Sequence, residues 1–222
     1  MNQKNPAYGR RPWHLQVMLR VAALVLALGP ALPAFAADRL ILAFGDSLTA
    51  GYGLAPAQAF PNRLEAALRT GGVPARVHNG GVSGDTTAAG RARLNWLLRG
   101  LKAKPDLAIV ELGANDMLRG LQPAQTRANL DAILSELRRR RIPVLLTGMR
   151  AAPNLGRPYA AAFEPIFPAL ARKYDARLYP FFLEGVAGNP ALLQGDGMHP
   201  NPRGVAIIVR RILPMVRASL PR

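Results

Sequence analysis

The chain has 222 residues, of which 50% are hydrophobic and 19% charged, with 21 glycines, 20 prolines and no cysteine. This composition excludes a disordered or collagen-like chain, a disulfide framework, a thiol nucleophile and a thiolate metal site. One core is expected, because chains usually divide into domains only beyond about 250 residues, and the net charge of +16 is compatible with nucleic acid, an anionic membrane surface or acidic substrates as partners.

Residues 1–36 differ from the rest of the chain. Residues 1–20 carry four basic residues and no acidic one, an unbroken apolar run follows at residues 21–28, and a small-x-small triplet ends at Ala36. This order is typical of a secretory signal, and the apolar run is too short to span a bilayer as a helix. We predict a signal peptide over residues 1–36 and a mature domain over residues 37–222, with an uncleaved anchor as the alternative and Met18 as an alternative start.

Short apolar runs alternate with longer helical patterns in the mature region. The runs predict strands buried on both faces of a parallel sheet, at residues 39–44, 75–78, 107–112 and 142–147, with a weaker fifth at 177–179. Helical spacing of apolar residues predicts helices at residues 61–69, 87–101, 123–141, 158–174 and 205–220. Strands that alternate with helices indicate an α/β fold with three layers, α/β/α.

The densest basic cluster, at residues 138–141, ends the helical pattern that begins at residue 123. We interpret it as the last turn of that helix, where positive charge complements the helix dipole, with a phosphate-binding patch as the alternative. The other arginines are scattered, so no nucleic-acid partner is expected.

Polar, glycine-containing segments follow three of the predicted strands, and a fourth precedes the last helix. In open parallel sheets ligands bind beyond the carboxyl ends of the strands, so these segments are expected to meet at one edge. They are residues 45–49, 80–85, 113–116 and 196–200.

Ser47 and Ser83 are the two candidate nucleophiles, since the other two of the four serines lie in a predicted helix and in the tail. Ser47 directly follows a buried strand, at a turn that faces the binding edge. Its position is similar in role to the strand-to-helix turn of other serine hydrolases.

A serine hydroxyl needs a base, and the mature region has two histidines, His78 and His199. His78 is interpreted as a structural residue at the end of the second strand. Asp196 precedes His199 by three residues, a spacing that suits a carboxylate that orients the imidazole. Asn201 and Pro202 are predicted as the cap and first residue of the last helix.

Acyl transfer also needs hydrogen-bond donors for the developing oxyanion. The candidates are the backbone N–H of Ser47, the N–H of a glycine and the side-chain amide of Asn115, although Asn115 is also a typical turn residue. Asp46 and Asp85 are interpreted as carboxylates that cap turns.

Four ordered blocks together resemble the SGNH (GDSL) hydrolase family, and most of all its bacterial periplasmic thioesterase I/protease I/lysophospholipase and arylesterase group. The blocks are Gly45-Asp46-Ser47-Leu48-Thr49-Ala50-Gly51-Tyr52, Val82-Ser83-Gly84-Asp85-Thr86, Val110-Glu111-Leu112-Gly113-Ala114-Asn115-Asp116 and Asp196-Gly197-Met198-His199-Pro200-Asn201. The third block has Gly-Ala-Asn-Asp in place of the more usual Gly-Gly-Asn-Asp. The resemblance covers essentially all of residues 37–222.

The resemblance implies a flavodoxin-like sandwich with a five-stranded parallel sheet, a catalytic triad and an oxyanion hole, with no metal and no organic cofactor. The implied catalytic residues are Ser47 as nucleophile, His199 as base and Asp196 as the orienting acid. The implied oxyanion donors are Ser47 N–H, Asn115 and Gly84 N–H, with Gly81 as the alternative glycine.

The expected function is a periplasmic or secreted serine esterase that hydrolyses aryl or short- and medium-chain esters, thioesters and lysophospholipids. Its partners are a small-molecule acyl substrate and lipid at a membrane surface, and a monomer is expected. Met117, Leu118 and Leu121 are predicted to bind the acyl chain as a flexible cover, with simple packing on the sheet edge as the alternative. A carbohydrate O-acetylesterase and a non-catalytic binding module are the alternative functions.

Overall fold

A computed structural model describes Met1 and residues 38–221, so the predicted signal peptide, apart from its first residue, lies outside the described part of the chain. Five strands form one sheet in the order β2-β1-β3-β4-β5, and every neighbouring pair is parallel. The strands are β1 (Arg39–Gly45), β2 (Ala75–Gly81), β3 (Leu107–Glu111), β4 (Val144–Thr147) and β5 (Arg177–Tyr179). This strand order is that of flavodoxin-like folds, so the predicted fold class is confirmed.

Eight α-helices flank the sheet in residues 38–221. They are α1 (Ser47–Ala50), α2 (Phe60–Thr70), α3 (Thr87–Gly100), α4 (Ala114–Leu118), α5 (Pro123–Arg139), α6 (Gly156–Phe163), α7 (Ile166–Tyr174) and α8 (Pro202–Ser219). Helix α2 packs against α8, while α3 packs against α5 and α5 against α7. These two groups of helices form the outer layers of the α/β/α arrangement.

The core lies between the sheet and both helical layers. Strands β1 and β3 are central, and Ile41, Phe44 and Ile109 in them are almost fully buried. The apolar runs that predict these two strands therefore correspond to burial on both faces, as expected for a parallel sheet.

Strand β2 differs from its prediction. It runs to Gly81 and alternates between buried and exposed residues, because it is an edge strand. His78 lies in the middle of it and is exposed, so the interpretation of His78 as a structural residue at the strand end is wrong. Two outward N–H groups of this edge are occupied: Val77 N–H donates to Glu65 Oε2 at 2.8 Å, and Gly81 N–H donates to Asn79 Oδ1 at 3.0 Å.

The single helix predicted over residues 158–174 is two helices, α6 and α7. They are separated at Glu164 and Pro165, because proline has no N–H to donate to the preceding turn. The short helices α1 and α4 have too few residues for an apolar period and were not predicted.

Helix α5 ends at Arg139, so Arg138 and Arg139 lie in its last turn as predicted, whereas Arg140 is its C-cap and Arg141 lies beyond it with a φ of 55°. Arg139 Nη2 and Arg140 Nε contact Glu136 Oε1 at 2.7 and 2.6 Å. These hydrogen bonds, that from Arg139 first, lower the pKa of Glu136 to about 2. None of the helices in the described residues is long and apolar enough to cross a membrane.

Candidate active site

Ser47 is the first residue of helix α1, which begins one residue after β1. Asp46 caps this helix, since its Oδ1 accepts the N–H of Leu48 at 3.0 Å. The N–H of Ser47 lies in the first turn, where it has no acceptor within the helix. The turn therefore presents both the hydroxyl and the N–H of Ser47 at the carboxyl edge of the sheet.

The segment that carries His199 is a tight loop before helix α8. Gln194 N–H donates to His199 O at 2.7 Å, and Gly197 turns the chain with a φ of 71°. Asp196 Oδ1 accepts the N–H groups of Met198 and His199, each at 2.9 Å.

Helix α8 then begins at Pro202 with Asn201 as its cap, as predicted. Asn201 Oδ1 accepts the N–H groups of Arg203 and Gly204, and its Nδ2 donates to the carbonyls of Ala191 and Leu193. Asn201 therefore fixes the end of the histidine loop to both the helix and the preceding turn.

Ser47, His199 and Asp196 form a continuous hydrogen-bonded chain. His199 Nε2 lies 2.9 Å from Ser47 Oγ, and His199 Nδ1 lies 2.6 Å from Asp196 Oδ2. The hydrogen bonds from His199 N–H, Met198 N–H and the His199 ring lower the pKa of Asp196 to about 2. Because the charged Asp196 can only accept, Nδ1 carries the proton and Nε2 is left to accept one from Ser47.

Two residues near His199, Tyr52 and Gln194, were not predicted as site residues. The Tyr52 ring lies over the imidazole, with centroids 4.6 Å apart and a tilt of 39°. Gln194 Nε2 donates to Tyr52 O at 2.8 Å and to Pro200 O at 3.0 Å. Gln194 therefore ties the segment after Ser47 to the histidine loop, and no sequence signal marks it.

Asn115 lies in helix α4, directly after β3. Its Nδ2 donates to Asp46 Oδ2 at 3.1 Å and to Asp85 O at 3.0 Å. The two acceptors fix which end of the amide is the donor, and Asn115 lines the same cavity as Ser47.

Asp116, the neighbour of Asn115, is a buried anchor. Its carboxylate accepts Thr87 N–H at 2.7 Å, the Thr87 hydroxyl at 2.5 Å and the Thr126 hydroxyl at 3.1 Å. Helices α3 and α5 thereby hold the segment that carries Asn115.

Gly84 borders the same cavity as Ser47 and Asn115, whereas Gly81 does not. Gly84 has a φ of 85°, a conformation that favours glycine. The N–H of Gly81 is already bonded to Asn79, and a Cβ on Gly81 would collide with the backbone of Ala50. The geometry therefore favours Gly84 over Gly81 as a donor.

Asp46 and Asp85, both interpreted as caps, behave differently. Asp46 does cap α1, but Asp85 pairs with Arg93 Nε at 2.5 Å, and Thr86 caps helix α3 instead. Arg93 Nη2 also donates to Gly45 O at 2.9 Å, so this pair links the second loop to the end of β1.

Glu111 is a second buried carboxyl beside Asp46. It is fully buried, and its Oε2 accepts the Thr49 hydroxyl at 2.8 Å. Burial raises the pKa of Asp46 to about 6, and burial together with the Asp46 charge raises the pKa of Glu111 well above its usual range. The space for the Glu111 carboxyl exists because Gly45 has no side chain, since a Cβ there would collide with it.

A cavity of about 350 Å³ opens above Ser47. Its polar groups belong to the residues described above, and the rest of its wall is mostly apolar, formed by Leu48, Met117, Leu118, Met149, Leu183 and Leu193. Ser83 also lines the cavity. The imidazole of His199, however, forms its hydrogen bond with Ser47.

The predicted acyl-binding residues are only partly brought together. Met117 and Leu118 line the cavity, and both lie in helix α4 rather than in an irregular loop. Leu121 lies outside the cavity wall, because Gly120 turns the chain with a φ of 61°. Its carbonyl instead accepts the Tyr159 hydroxyl at 2.9 Å. No group of three metal-ligating side chains occurs in the part of the chain that the structure describes.

Comparisons with known proteins identify the family of this chain. Residues 43–207 match the model of the GDSL-like lipase/acylhydrolase family. The chain is 39% identical to Esterase TesA of Pseudomonas aeruginosa over 185 residues, which cover 83% of this chain and 91% of that protein. It is 41% identical to Thioesterase 1/protease 1/lysophospholipase L1 of Escherichia coli K12 over 189 residues, 85% of each chain.

A solved structure indicates the same family. The crystal structure of AlinE4, an SGNH-hydrolase family esterase, aligns with a TM-score of 0.72 and 56% identity, over 85% of this chain and all of that one. The chain therefore belongs to the GDSL-like lipase/acylhydrolase family, and the resemblance found in its sequence is confirmed.

Proposed function

We propose that this protein is a serine esterase that hydrolyses acyl esters and thioesters through a Ser47–His199–Asp196 triad. The observation that carries the proposal is the hydrogen-bonded chain from Asp196 Oδ2 through His199 to Ser47 Oγ, with distances of 2.6 and 2.9 Å, at the floor of an apolar cavity. The names of the relatives, an esterase and a thioesterase/lysophospholipase, support the same reaction class.

The first half of the reaction forms an acyl-enzyme. Ser47 Oγ attacks the acyl carbonyl carbon while His199 Nε2 takes the hydroxyl proton, and Asp196 stabilises the imidazolium that results. The carbonyl oxygen becomes an oxyanion, which accepts hydrogen bonds from Ser47 N–H, Gly84 N–H and Asn115 Nδ2. The tetrahedral intermediate then breaks its bond to the alcohol or thiol, which leaves with the proton from His199.

The second half repeats these steps with water. His199 Nε2 takes a proton from the water as its oxygen attacks the acyl carbonyl, and the collapse of the second intermediate returns the proton to Ser47 Oγ. The carboxylic acid leaves and the starting state is restored. The chain's own residues suffice for each proton transfer, and no cofactor is proposed.

The cavity wall favours an acyl group as the part of the substrate that is bound. Met117 is buried, and Leu118 is exposed at the mouth. An apolar wall beside the triad suits aryl groups, short and medium acyl chains and the acyl chain of a lysophospholipid. Lipid at a membrane surface is accordingly a proposed source of substrate.

The two alternative functions fit these observations less well. A sugar O-acetylesterase needs surfaces for stacking on sugars, yet aromatic residues make up only 6% of the chain. A non-catalytic binding module has no use for an imidazole held between a carboxylate and a serine hydroxyl.

Export to the periplasm or secretion is proposed from the N-terminal pattern alone. The basic region, the apolar run at residues 21–28 and the triplet that ends at Ala36 support cleavage after Ala36. N-terminal sequencing of the protein from the periplasmic fraction tests this, and an N-terminus other than Ala37 would contradict it. We also propose that the protein is a monomer, which its mass in solution tests.

A substrate panel tests the reaction and its specificity together. The panel contains p-nitrophenyl esters of increasing chain length, an acyl-CoA, a lysophospholipid and an acetylated sugar. Each buried methylene is worth about 0.8 kcal/mol, so kcat/KM is expected to rise with chain length and then level off. Leu118→Ser should flatten this rise, whereas Leu121→Ser, outside the cavity wall, is the matched control. Preference for acetyl esters, with no effect of Leu118→Ser on chain length, would favour the O-acetylesterase instead.

A further inference from the structure

The proposed mechanism leaves one buried ionisable group without a role, and that group is Glu111. It is fully buried in β3 next to the turn that carries Ser47. Its Oε2 accepts the Thr49 hydroxyl, but its Oε1 has no hydrogen-bond partner among the described donors. A buried polar atom without a partner costs about 1–3 kcal/mol, so its environment needs an explanation.

Asp46 supplies that explanation. Its side chain is also fully buried and follows Gly45, which pairs with Glu111 across β1 and β3, so the two carboxyls are close enough for the Asp46 charge to raise the pKa of Glu111. Two carboxylates in one buried site repel each other, so such a pair retains one proton. If that proton is on Glu111 Oε1, it donates to Asp46 and no oxygen of Glu111 is left without a partner.

The remaining contacts decide which carboxyl holds the proton. Asp46 accepts two hydrogen bonds, from Leu48 N–H at 3.0 Å and from Asn115 Nδ2 at 3.1 Å, and both stabilise its charged form. Glu111 accepts the Thr49 hydroxyl at 2.8 Å, and the backbone of Asp46 adds a smaller stabilisation of its charged form, but its burial is complete and outweighs both. Asp46 is therefore the carboxylate of the pair and Glu111 the acid.

The location of the proton matters for Asn115. A charged Asp46 only accepts, so it binds the NH₂ end of the Asn115 amide and keeps that end in place. A protonated Asp46 donates as well, so Asp85 O alone would hold the NH₂ end in place, and the reversed amide, with its carbonyl oxygen toward Asp46, would gain a donor. In that orientation Asn115 repels an oxyanion.

We propose that Glu111 is a positioning residue for ester hydrolysis: it holds a proton at Oε1, donates it in a hydrogen bond to Asp46, and thereby keeps Asp46 as the acceptor that orients the Asn115 amide. This role rests on the proposed esterase function. Glu111 touches neither the substrate nor Ser47 Oγ, and it acts through two intervening side chains.

The experiment compares four single variants, including Asn115→Ala, and one double variant of the full chain on a p-nitrophenyl ester. Glu111→Met removes the donor, so Asp46 takes the proton, and kcat is expected to fall at least about tenfold with KM nearly unchanged, within the range for loss of an oxyanion donor. Glu111→Gln keeps a donor at the Oε1 position and an acceptor for Thr49, so it should recover most of the lost kcat. Thr147→Val is the matched control, since it removes another buried hydrogen bond of the sheet, to Val110 O at 3.3 Å, and should lower Tm without changing kcat.

The double variant Glu111→Met/Asn115→Ala separates positioning from general destabilisation. If Glu111 acts through Asn115, the double variant has the kcat of Asn115→Ala alone. Multiplicative losses, or a Glu111→Met enzyme with the kcat of the unmodified protein, would overturn the proposal. An unmodified protein without hydrolytic activity would instead refute the esterase function, so the two failures are distinguishable.

An infrared measurement keeps the proposal testable even if Glu111→Met does not fold. At neutral pH the difference spectrum between the unmodified protein and Glu111→Gln should contain the carbonyl stretch of a protonated carboxylic acid. The absence of that band would show that Glu111 is charged and would contradict the proposal.

Discussion

On the histidine side of Ser47 the carboxylate of Asp196 is partly exposed and charged, whereas on the amide side the carboxyls of Asp46 and Glu111 are buried and retain a proton. Asp196 has two backbone N–H donors and an imidazole around it, and these lower its pKa to about 2. Glu111 is completely buried beside the Asp46 charge, and these raise its pKa in spite of the hydrogen bonds from the Thr49 hydroxyl and the Asp46 backbone. The donors and the solvent around a carboxyl therefore determine whether it acts as a charged orienting group or as a neutral hydrogen-bond donor.

The largest loss of kcat is expected at Ser47, which lies between the histidine side and the amide side. Ser47→Ala removes the nucleophile and should lower kcat by roughly 10⁶-fold while the fold is retained. A fluorophosphonate should label Ser47 alone in the unmodified protein, as peptide mass analysis can determine, and Ser135→Ala is a control outside the site. Labelling of Ser83 would show that the wrong serine had been chosen.

On the histidine side, Asp196→Asn is expected to reduce kcat by about 10⁴-fold, because the neutral amide no longer holds Nδ1 as the protonated nitrogen of His199. Circular dichroism should show an unchanged fold, since Asp196 lies in an exposed loop. His78→Ala is the control for loss of a histidine elsewhere. Equal damage from His78→Ala and His199→Ala would contradict the choice of base.

On the amide side, Asn115→Ala should reduce kcat by roughly 10²–10³-fold with little change in KM, because an oxyanion donor acts mainly in the transition state. Steady-state kinetics on one ester measure both constants. A variant with a raised KM and normal kcat would make Asn115 a substrate-binding or turn residue.

The smallest expected effect is on the free energy of unfolding. Its dependence on pH has opposite signs for Glu111 on the amide side and Asp196 on the histidine side. Glu111 holds its proton in the folded protein above the usual pKa of 4.5, where the unfolded chain has lost it. Folding therefore binds a proton in that range, and stability relative to Glu111→Gln should fall as the pH rises from 4.5, by up to about 1.4 kcal/mol per pH unit.

Asp196 has a lowered pKa, so its contribution to stability is present above the usual value of 3.8 and is lost as the pH falls toward about 2. Urea unfolding of Glu111→Gln, Asp196→Asn and the unmodified protein at several pH values measures both trends. A stability difference for Glu111→Gln that does not vary with pH would argue against a protonated Glu111.

Much of this architecture is readable from local patterns. Apolar runs predict the central strands because burial on both faces leaves no room for polar residues, and Asn201-Pro202 predicts the start of helix α8 because capping depends on adjacent residues. The motif blocks likewise bring Ser47 and Asn115 to one edge, since the carboxyl ends of parallel strands coincide, and the block before helix α8 adds His199.

The features that the sequence does not predict depend on contacts between segments that are distant along the chain. Glu111 stands in an apolar run, and its relation to Asp46 follows only from the register that pairs Gly45 with Glu111 across β1 and β3. Gln194 reaches Tyr52 across 142 positions, and no spacing rule connects them. The exposed face of β2 also depends on strand order, which a single apolar run does not encode.

The edge strand β2 has a consequence for the behaviour of many copies at high concentration. An incoming strand from another molecule would need free N–H donors along this edge, but those of Val77 and Gly81 are already bound to Glu65 and Asn79. An approaching chain must first break these contacts, and Arg76 and His78 add charge and bulk on the exposed face. The same side chains that complete the fold thus act against fibril growth and domain swapping.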